Sequence, residues 1–142
     1  HFFIYKFRTM VENAEKLTGP VWAKESDPRI TRMGRILRRF RLDELPQLLM
    51  VINGGMSLIG PRPERPYFVE KLVKEFPFYY RRHKIRPGIT GWAQIKHPYD
   101  QDIKDVRQKL KYDFYYIENL SFSLDFKILL STFWVMLSGK GR

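Results

Sequence analysis

Residues 27–55 read DPRITRMGRILRRFRLDELPQLLMVINGG, and the fold class turns on this stretch. An acid followed by proline, Asp27-Pro28, has the pattern of an N-cap and the first helical position. From there to Phe40 the spacing predicts a helix. Ile30, Met33, Ile36, Leu37 and Phe40 share one face, and Arg29, Arg32, Arg35 and Arg39 line up on a neighbouring one. Leu42-Asp43-Glu44-Leu45-Pro46 predicts a second helix start, with Leu45, Leu48, Leu49 and Ile52 as its apolar face and Gly54-Gly55 as its stop.

Toward the N-terminus, Phe2 to Met10 alternates loosely and predicts a short strand. Val11 to Leu17 predicts one or two helical turns closed by Gly19-Pro20, and Trp22 to Ser26 a loop. Toward the C-terminus, Met56 to Pro63 predicts a short apolar strand or turn running into Pro61-Arg62-Pro63. Tyr67 to Tyr80 predicts a helix interrupted near Pro77, and Pro87 to Gly91 a turn. Ile103 to Glu118 reads as a helix, and Leu124 to Leu137 as an apolar helix ending at Gly139. The expected fold is α+β, mostly helical with a few short strands, as one domain over residues 1–142. Nothing suggests a doubly wound parallel sheet.

Composition narrows the chemistry. The 142 residues include 44% apolar and 29% charged side chains, which suits a folded domain rather than a disordered one. There is no cysteine, which excludes disulfides, thiolate metal sites and cysteine nucleophiles. His1, His83 and His97 are too scattered for a histidine metal site. The 26 basic and 15 acidic residues leave a net charge of +11, which favours polyanionic partners: nucleic acid, anionic lipid or nucleotide phosphates. No apolar stretch reaches the roughly 20 residues that cross a bilayer. The abrupt apolar start at His1 is expected of a fragment of a longer protein.

Several constellations are able to carry chemistry. The pair Asp43-Glu44 follows an arginine-rich segment. A carboxylate placed there is expected to stay ionised and to attack phosphorus, while its neighbour holds Mg²⁺ against a diphosphate. The same dipeptide also reads as ordinary N-cap acids. The arginine stripe, with Arg38 and Arg41, is suited to phosphate oxygens or to solvent. Arg62 is stiffened between Pro61 and Pro63. Gly88-Ile89-Thr90-Gly91, flanked by Arg86 and Gln94, is a turn whose N–H groups are able to approach phosphate, and it also has the glycine spacing of an RNA-clamping loop. The apolar run from Phe126 to Leu137, with Lys127, Lys140 and Arg142 at its ends, suits either a membrane interface or a core.

The order of these motifs is more specific than any one of them. Lys6-Phe7-Arg8-Thr9-Met10, Asp27-Pro28-Arg29-Ile30-Thr31-Arg32, Leu42-Asp43-Glu44-Leu45-Pro46-Gln47, Met56 to Glu64 and Arg86 to Gln94 occur in series. They are followed by Tyr112 to Asn119 and Leu124 to Leu129. Together they resemble the bacterial sugar transferase family, the monotopic phosphoglycosyl transferases, across nearly the whole chain. The resemblance implies transfer of a sugar-1-phosphate from a UDP-sugar to undecaprenyl phosphate through a phosphosugar-aspartate intermediate. Asp43 matches the nucleophile and Glu44 its Mg²⁺-linked partner. Lys6, Arg38 and Arg62 match basic positions of the family's motifs and, with Arg86 and Gln94 flanking the glycine turn, are the expected substrate-binding residues. The resemblance further implies an anionic membrane surface as partner at the cytoplasmic face of the bacterial inner membrane. It also implies a re-entrant N-terminal membrane helix that this chain lacks. A homodimer is left open, and nucleic acid is not expected. Met50, Gly55 and Ile95-Lys96-His97-Pro98 depart from the family pattern, so the sugar is not transferable. The rival readings are a basic nucleic-acid-binding domain and a non-catalytic membrane-surface module.

Overall fold

The core is carried by two sixteen-residue helices near the C-terminus, α5 (Ile103–Glu118) and α6 (Phe122–Leu137). The computed structural model describes residues 2–16, 19–23, 27–97 and 103–139. Ahead of the two helices lie α1 (Arg32–Arg39), α2 (Leu48–Ile52), β1 (Ser57–Ile59), α3 (Pro66–Glu75), β2 (Gly88–Thr90) and α4 (Trp92–Lys96). Two 3₁₀ segments, Leu42–Gln47 and Tyr79–Lys84, complete the regular structure among the described residues.

One cluster joins Phe68 and Leu72 of α3, Tyr79, and Val106 and Leu110 of α5, with Trp22 stacked on Phe68 at 5.0 Å between ring centroids. A second joins Ile59 of β1, Tyr116 of α5 and Ile128 of α6. Tyr116 donates its hydroxyl to Asp125 at 2.7 Å, which seats the start of α6 on α5. Ser121 caps α6 by accepting from the Leu124 N–H at 3.3 Å.

The strands pair in parallel, Ser57 with Gly88 and Ile59 with Thr90. A parallel pair needs a long crossover, and residues 60–87, with α3 and the second 3₁₀ segment, supply it. The turn expected at Pro87 to Gly91 is therefore largely a strand. A Cβ at Gly88 would lie 2.1 Å from the Gly60 nitrogen, so this close pairing tolerates only glycine there. The α+β class holds, and no helix among the described residues is long and apolar enough to cross a membrane.

Three local expectations are corrected. The helix expected from Asp27 begins instead at Arg32. Thr31 is the N-cap and accepts from the Gly34 N–H at 2.9 Å. Asp27 is captured by Arg29, accepting from its backbone N–H at 3.0 Å and from its guanidinium at 2.6 Å, and those bonds hold its carboxyl at a pKa of about 2. The second predicted helix is a 3₁₀ segment followed by the five residues of α2. Proline at position 46 donates no N–H and clashes with the carbonyl four residues back, so a regular α-helix does not run through it. Finally, residues 2–10 form no ladder. They contribute one isolated bridge, Met10 to Ile30, and backbone bonds from Phe7 to the Asp43 carbonyl at 3.0 Å and from Thr31 to the Thr9 carbonyl at 3.0 Å. The partners of this segment are a helix entry and the acid pair, not a second strand. The turns expected at residues 11–17 appear over residues 12–16. Leu17, Ser26, Lys140 and Arg142, named in the sequence reading, lie outside the described residues.

Gly34 sets how close this N-terminal segment comes to α1. A Cβ there would stand 2.0 Å from the Thr9 carbonyl oxygen. Because the neighbour is backbone, it cannot swing away. Gly34→Ala is expected to cost about 3 kcal/mol or more, the upper end of overpacking changes. Urea unfolding should show it as a lower midpoint with an unchanged slope, and a midpoint equal to that of the native sequence would contradict the close approach.

Candidate active site

Arg41 has a left-handed backbone, φ 54°, a conformation unusual outside glycine and concentrated at functional sites. The chain turns there from α1 into the 3₁₀ segment, where both Asp43 and Glu44 are buried, at 8% and 6% exposure. Buried carboxylates need partners. Glu44 Oε1 accepts from Lys6 Nζ at 2.9 Å and from Arg62 at 2.5 Å. Arg38 donates to the Thr9 hydroxyl at 2.9 Å, which holds its guanidinium near the acids. Asp43, Glu44, Lys6, Arg38, Arg62 and Gln94 line one cavity of about 150 Å³.

Arg62 is fixed from behind. Its carbonyl accepts from Arg82 at 2.8 Å, and Arg82 also donates to the Tyr79 hydroxyl at 2.7 Å and pairs with Asp113 at 2.9 Å. The rigid Pro61-Arg62-Pro63 segment is therefore held by a buried cation of the second 3₁₀ segment.

The two acids are driven in opposite directions. Burial alone would raise the Glu44 pKa, but the charges of Arg62 and then Lys6, with their hydrogen bonds, outweigh it and hold the carboxyl far below the usual range. Glu44 therefore stays ionised. Asp43 is pushed up, first by burial and then by the negative charge of Glu44, against the pull of Lys6, Arg38 and Arg62. A helix start and neighbouring arginines are expected to favour the ionised form of Asp43, yet the net shift runs upward. The segment is a short 3₁₀ turn, and desolvation outweighs the neighbouring cations. Adjacent carboxyls with separated pKa values are a common arrangement at reactive sites.

Lys6 is the first of the charges that hold the Asp43 pKa down. Lys6→Met is therefore expected to raise it further, and Glu44→Gln, which removes a negative neighbour, to lower it. Titration of the Asp43 carboxyl ¹³Cγ by NMR reads both shifts. Movement of both variants in the same direction would contradict this electrostatic account.

Gln94 donates through its Nε2 to the Ile89 carbonyl at 3.1 Å, and its buried Oε1 has no hydrogen-bond partner among the described residues. A buried acceptor without a partner is costly unless a ligand completes it. Thr9, Arg41 and Lys109 also line the cavity. Thr9 and Arg41 fall inside motifs or the arginine stripe, whereas Lys109 on α5 carried no signal in the sequence. Arg86 is not brought into this lining. It is exposed, with its guanidinium facing Gly54 at the end of α2. Of the departing stretch at positions 95–98, Ile95 and Lys96 lie in α4 and His97 pairs with Asp105 at 3.0 Å, while Pro98 lies outside the described residues.

Among the described residues no three histidine, cysteine or acidic side chains converge as a metal-ligand set. A cation here would take one or two carboxylates and complete its shell from substrate phosphates and water, the usual habit of Mg²⁺. An ionised, buried Glu44 fits that role. Around it the cavity offers several cations and a second carboxylate, Asp43. Clustered guanidinium and ammonium groups of this kind are able to take up phosphate oxygens.

Residues 1–139 match the family profile described as bacterial sugar transferase. The chain is 50% identical over 140 residues to the UDP-N-acetylgalactosamine-undecaprenyl-phosphate N-acetylgalactosaminephosphotransferase of Aeromonas hydrophila, covering 99% of this chain and 33% of that protein. It is 40% identical over 133 residues to the UDP-glucose:undecaprenyl-phosphate glucose-1-phosphate transferase of Escherichia coli (strain K12), covering 91% of this chain and 28% of the relative. It is also 41% identical over 148 residues to the exopolysaccharide production protein PSS of Rhizobium leguminosarum bv. phaseoli, covering 97% and 72%. The chain spans a third or less of the length of the first two.

Proposed function

The chain belongs to the bacterial sugar transferase family, and from that premise we propose that it carries the catalytic site for moving a sugar-1-phosphate from a UDP-sugar to undecaprenyl phosphate. The observation that supports this reading is the burial of Asp43 beside Glu44 in one cavity with Lys6, Arg38 and Arg62. A nucleic-acid surface has no use for a buried acid pair, and a passive membrane module has no use for a carboxylate with a raised pKa.

The chemistry follows in two displacements. Ionised Asp43 attacks the phosphorus that bears the sugar. A carboxylate oxygen–phosphorus bond forms, and the bond to UMP breaks with its electron pair leaving on UMP. Undecaprenyl phosphate then attacks the same phosphorus, and the bond to Asp43 breaks to return the carboxylate. Lys6, Arg38 and Arg62 orient the diphosphate and meet the charge that develops on it. Mg²⁺, held by Glu44 and the phosphates, would add charge neutralisation on the leaving nucleotide. Gln94 Oε1 accepts a hydrogen bond from the donor substrate. A UDP-N-acetylhexosamine is the donor we assign, because the relative named for N-acetylgalactosamine is 50% identical and those named for glucose 38–40%.

The acceptor places the site at a membrane. Apolar side chains stand exposed on three neighbouring elements: Met33 and Ile36 of α1, Leu49 and Ile52 of α2, and Phe133 and Trp134 of α6. The end of α1 reaches the end of α6 through Arg39, which donates to the Gly139 carbonyl at 3.3 Å. Exposed apolar surface of this extent, on a chain of net charge +11, suits an anionic bilayer surface. The test is a panel of UDP-sugars given to the full-length protein with Mg²⁺ and undecaprenyl phosphate in vesicles. UMP and a diphosphate-linked lipid sugar are expected, with UDP-N-acetylgalactosamine among the best donors. No UMP from any donor overturns the reading.

A further inference from the structure

Behind the acid pair lies a second opening, a groove of about 220 Å³ between the 3₁₀ segment, α2 and α6. Leu45 and Leu48 line it from the 3₁₀ segment and α2, Leu129 and Met136 from α6, and Leu58 and Ile89 from the two strands. Two hydroxyls, Thr90 and Thr132, also reach it. Thr132 gives its proton to the Ile128 carbonyl at 2.8 Å, so Thr90 donates to Thr132 across 2.7 Å. Both are satisfied within the protein and do not ask for a polar guest. The inner end differs, because Arg41 and Glu44 line this groove and the polar cavity alike.

We propose that this groove holds the first isoprene units of the acceptor, whose phosphate enters the polar cavity past Arg41. This rests on the reading of the site given above and adds to it where the lipid lies. The occupant must be anionic at one end and hydrocarbon immediately after it. The continuity of a cation-lined cavity with an apolar groove matches such a molecule and fits neither the nucleotide nor the sugar. Leu45, Leu48, Leu58 and Leu129 are each at least 40% exposed, so the groove opens outward and a longer chain is able to leave it toward the bilayer. The left-handed Arg41 is the hinge between the two compartments, where the acceptor phosphate turns from one into the other.

The test separates the two displacements in the full-length enzyme. Leu129→Trp narrows the groove, and Leu48→Gln makes one wall polar. Neither residue lines the polar cavity. Both variants are expected to release UMP from the donor in the absence of acceptor as the native enzyme does. Both should raise the KM for undecaprenyl phosphate by roughly tenfold or more, the scale of a few methylenes losing apolar contact. The KM for methyl phosphate, which carries no isoprene unit, should change much less. An unchanged KM for undecaprenyl phosphate in both variants would overturn the proposal and place the lipid chain elsewhere. Equal loss with both acceptors would also overturn it, since the groove would then support the site rather than the chain. If the native enzyme forms no adduct, the two-step reading fails, yet the dependence of overall turnover on acceptor length still reads the groove.

Discussion

Asp43→Asn is expected to lose turnover by roughly 10⁴-fold or more while keeping its fold, the scale seen when a nucleophile is removed from a site that otherwise remains whole. Asparagine has nearly the same shape but presents a neutral amide, a poor nucleophile toward phosphorus. The fold should tolerate the change. Asp43 is buried with a pKa raised by desolvation and by Glu44, so its charge is held against the preference of its surroundings. Removing that charge relieves desolvation and like-charge repulsion, and thermal stability is expected to stay level or rise. Turnover of the variant and its melting temperature, measured on one preparation, check both halves. A variant that keeps activity within tenfold would remove Asp43 from the chemistry.

Arg62→Ala is expected to have the second largest effect, about 10²–10³-fold on turnover, the usual scale for one charged or hydrogen-bonding group aimed at developing charge. The argument begins with its neighbours. Pro61 and Pro63 stiffen the backbone and Arg82 holds the Arg62 carbonyl at 2.8 Å, so the main chain is expected to keep its course without the side chain. What is lost is the 2.5 Å bond to Glu44 and the larger share of the charge that keeps Glu44 ionised. The Glu44 pKa should therefore rise toward the ordinary carboxylate range. Arg62→Lys should recover part of the loss, because it restores charge without the planar fork. A large fall in melting temperature with specific activity retained would make Arg62 a structural turn residue.

What the sequence disclosed follows from the range of each interaction. The span of α5 was legible because sixteen residues of helical periodicity report a local preference. The strand pair was not. Ser57 meets Gly88 across thirty residues of chain, and each strand is three residues long, too short for any period to show. The start of α1 was misplaced because Asp27 and Thr31 are both fair N-caps, and only the bonds between Asp27 and Arg29 decide between them. The apolar faces predicted on the first two helices exist, but Met33, Ile36, Leu49 and Ile52 stand outward rather than in a core. Periodicity locates a face and does not say what covers it.

The site divides in the same way. The sequence pointed to Lys6, Arg38, Asp43, Glu44, Arg62 and Gln94, and all six line one cavity. Arg86, expected from its place beside the glycine turn, lies outside that lining. Lys109 was invisible, as a lone lysine on a helix is ordinarily a solvated residue, and the approach of α5 to the acid pair is a tertiary fact. The upward direction of the Asp43 shift is not legible in the sequence for a related reason. Nearby arginines and a helix start are readable along the chain, whereas desolvation depends on how much of the fold closes over the carboxyl.

The central claim is that Asp43 carries the phosphosugar between donor and acceptor, and the direct measurement is the mass of the enzyme during the first displacement. Full-length protein given UDP-N-acetylgalactosamine and Mg²⁺ without acceptor, then quenched and digested, should gain one N-acetylhexosamine phosphate on the peptide that contains Asp43. The gain should disappear on addition of undecaprenyl phosphate and should never form in Asp43→Asn. An enzyme that turns over with acceptor present, yet shows no such mass and follows ternary-complex kinetics, would contradict the claim and leave Asp43 as a base in a direct transfer.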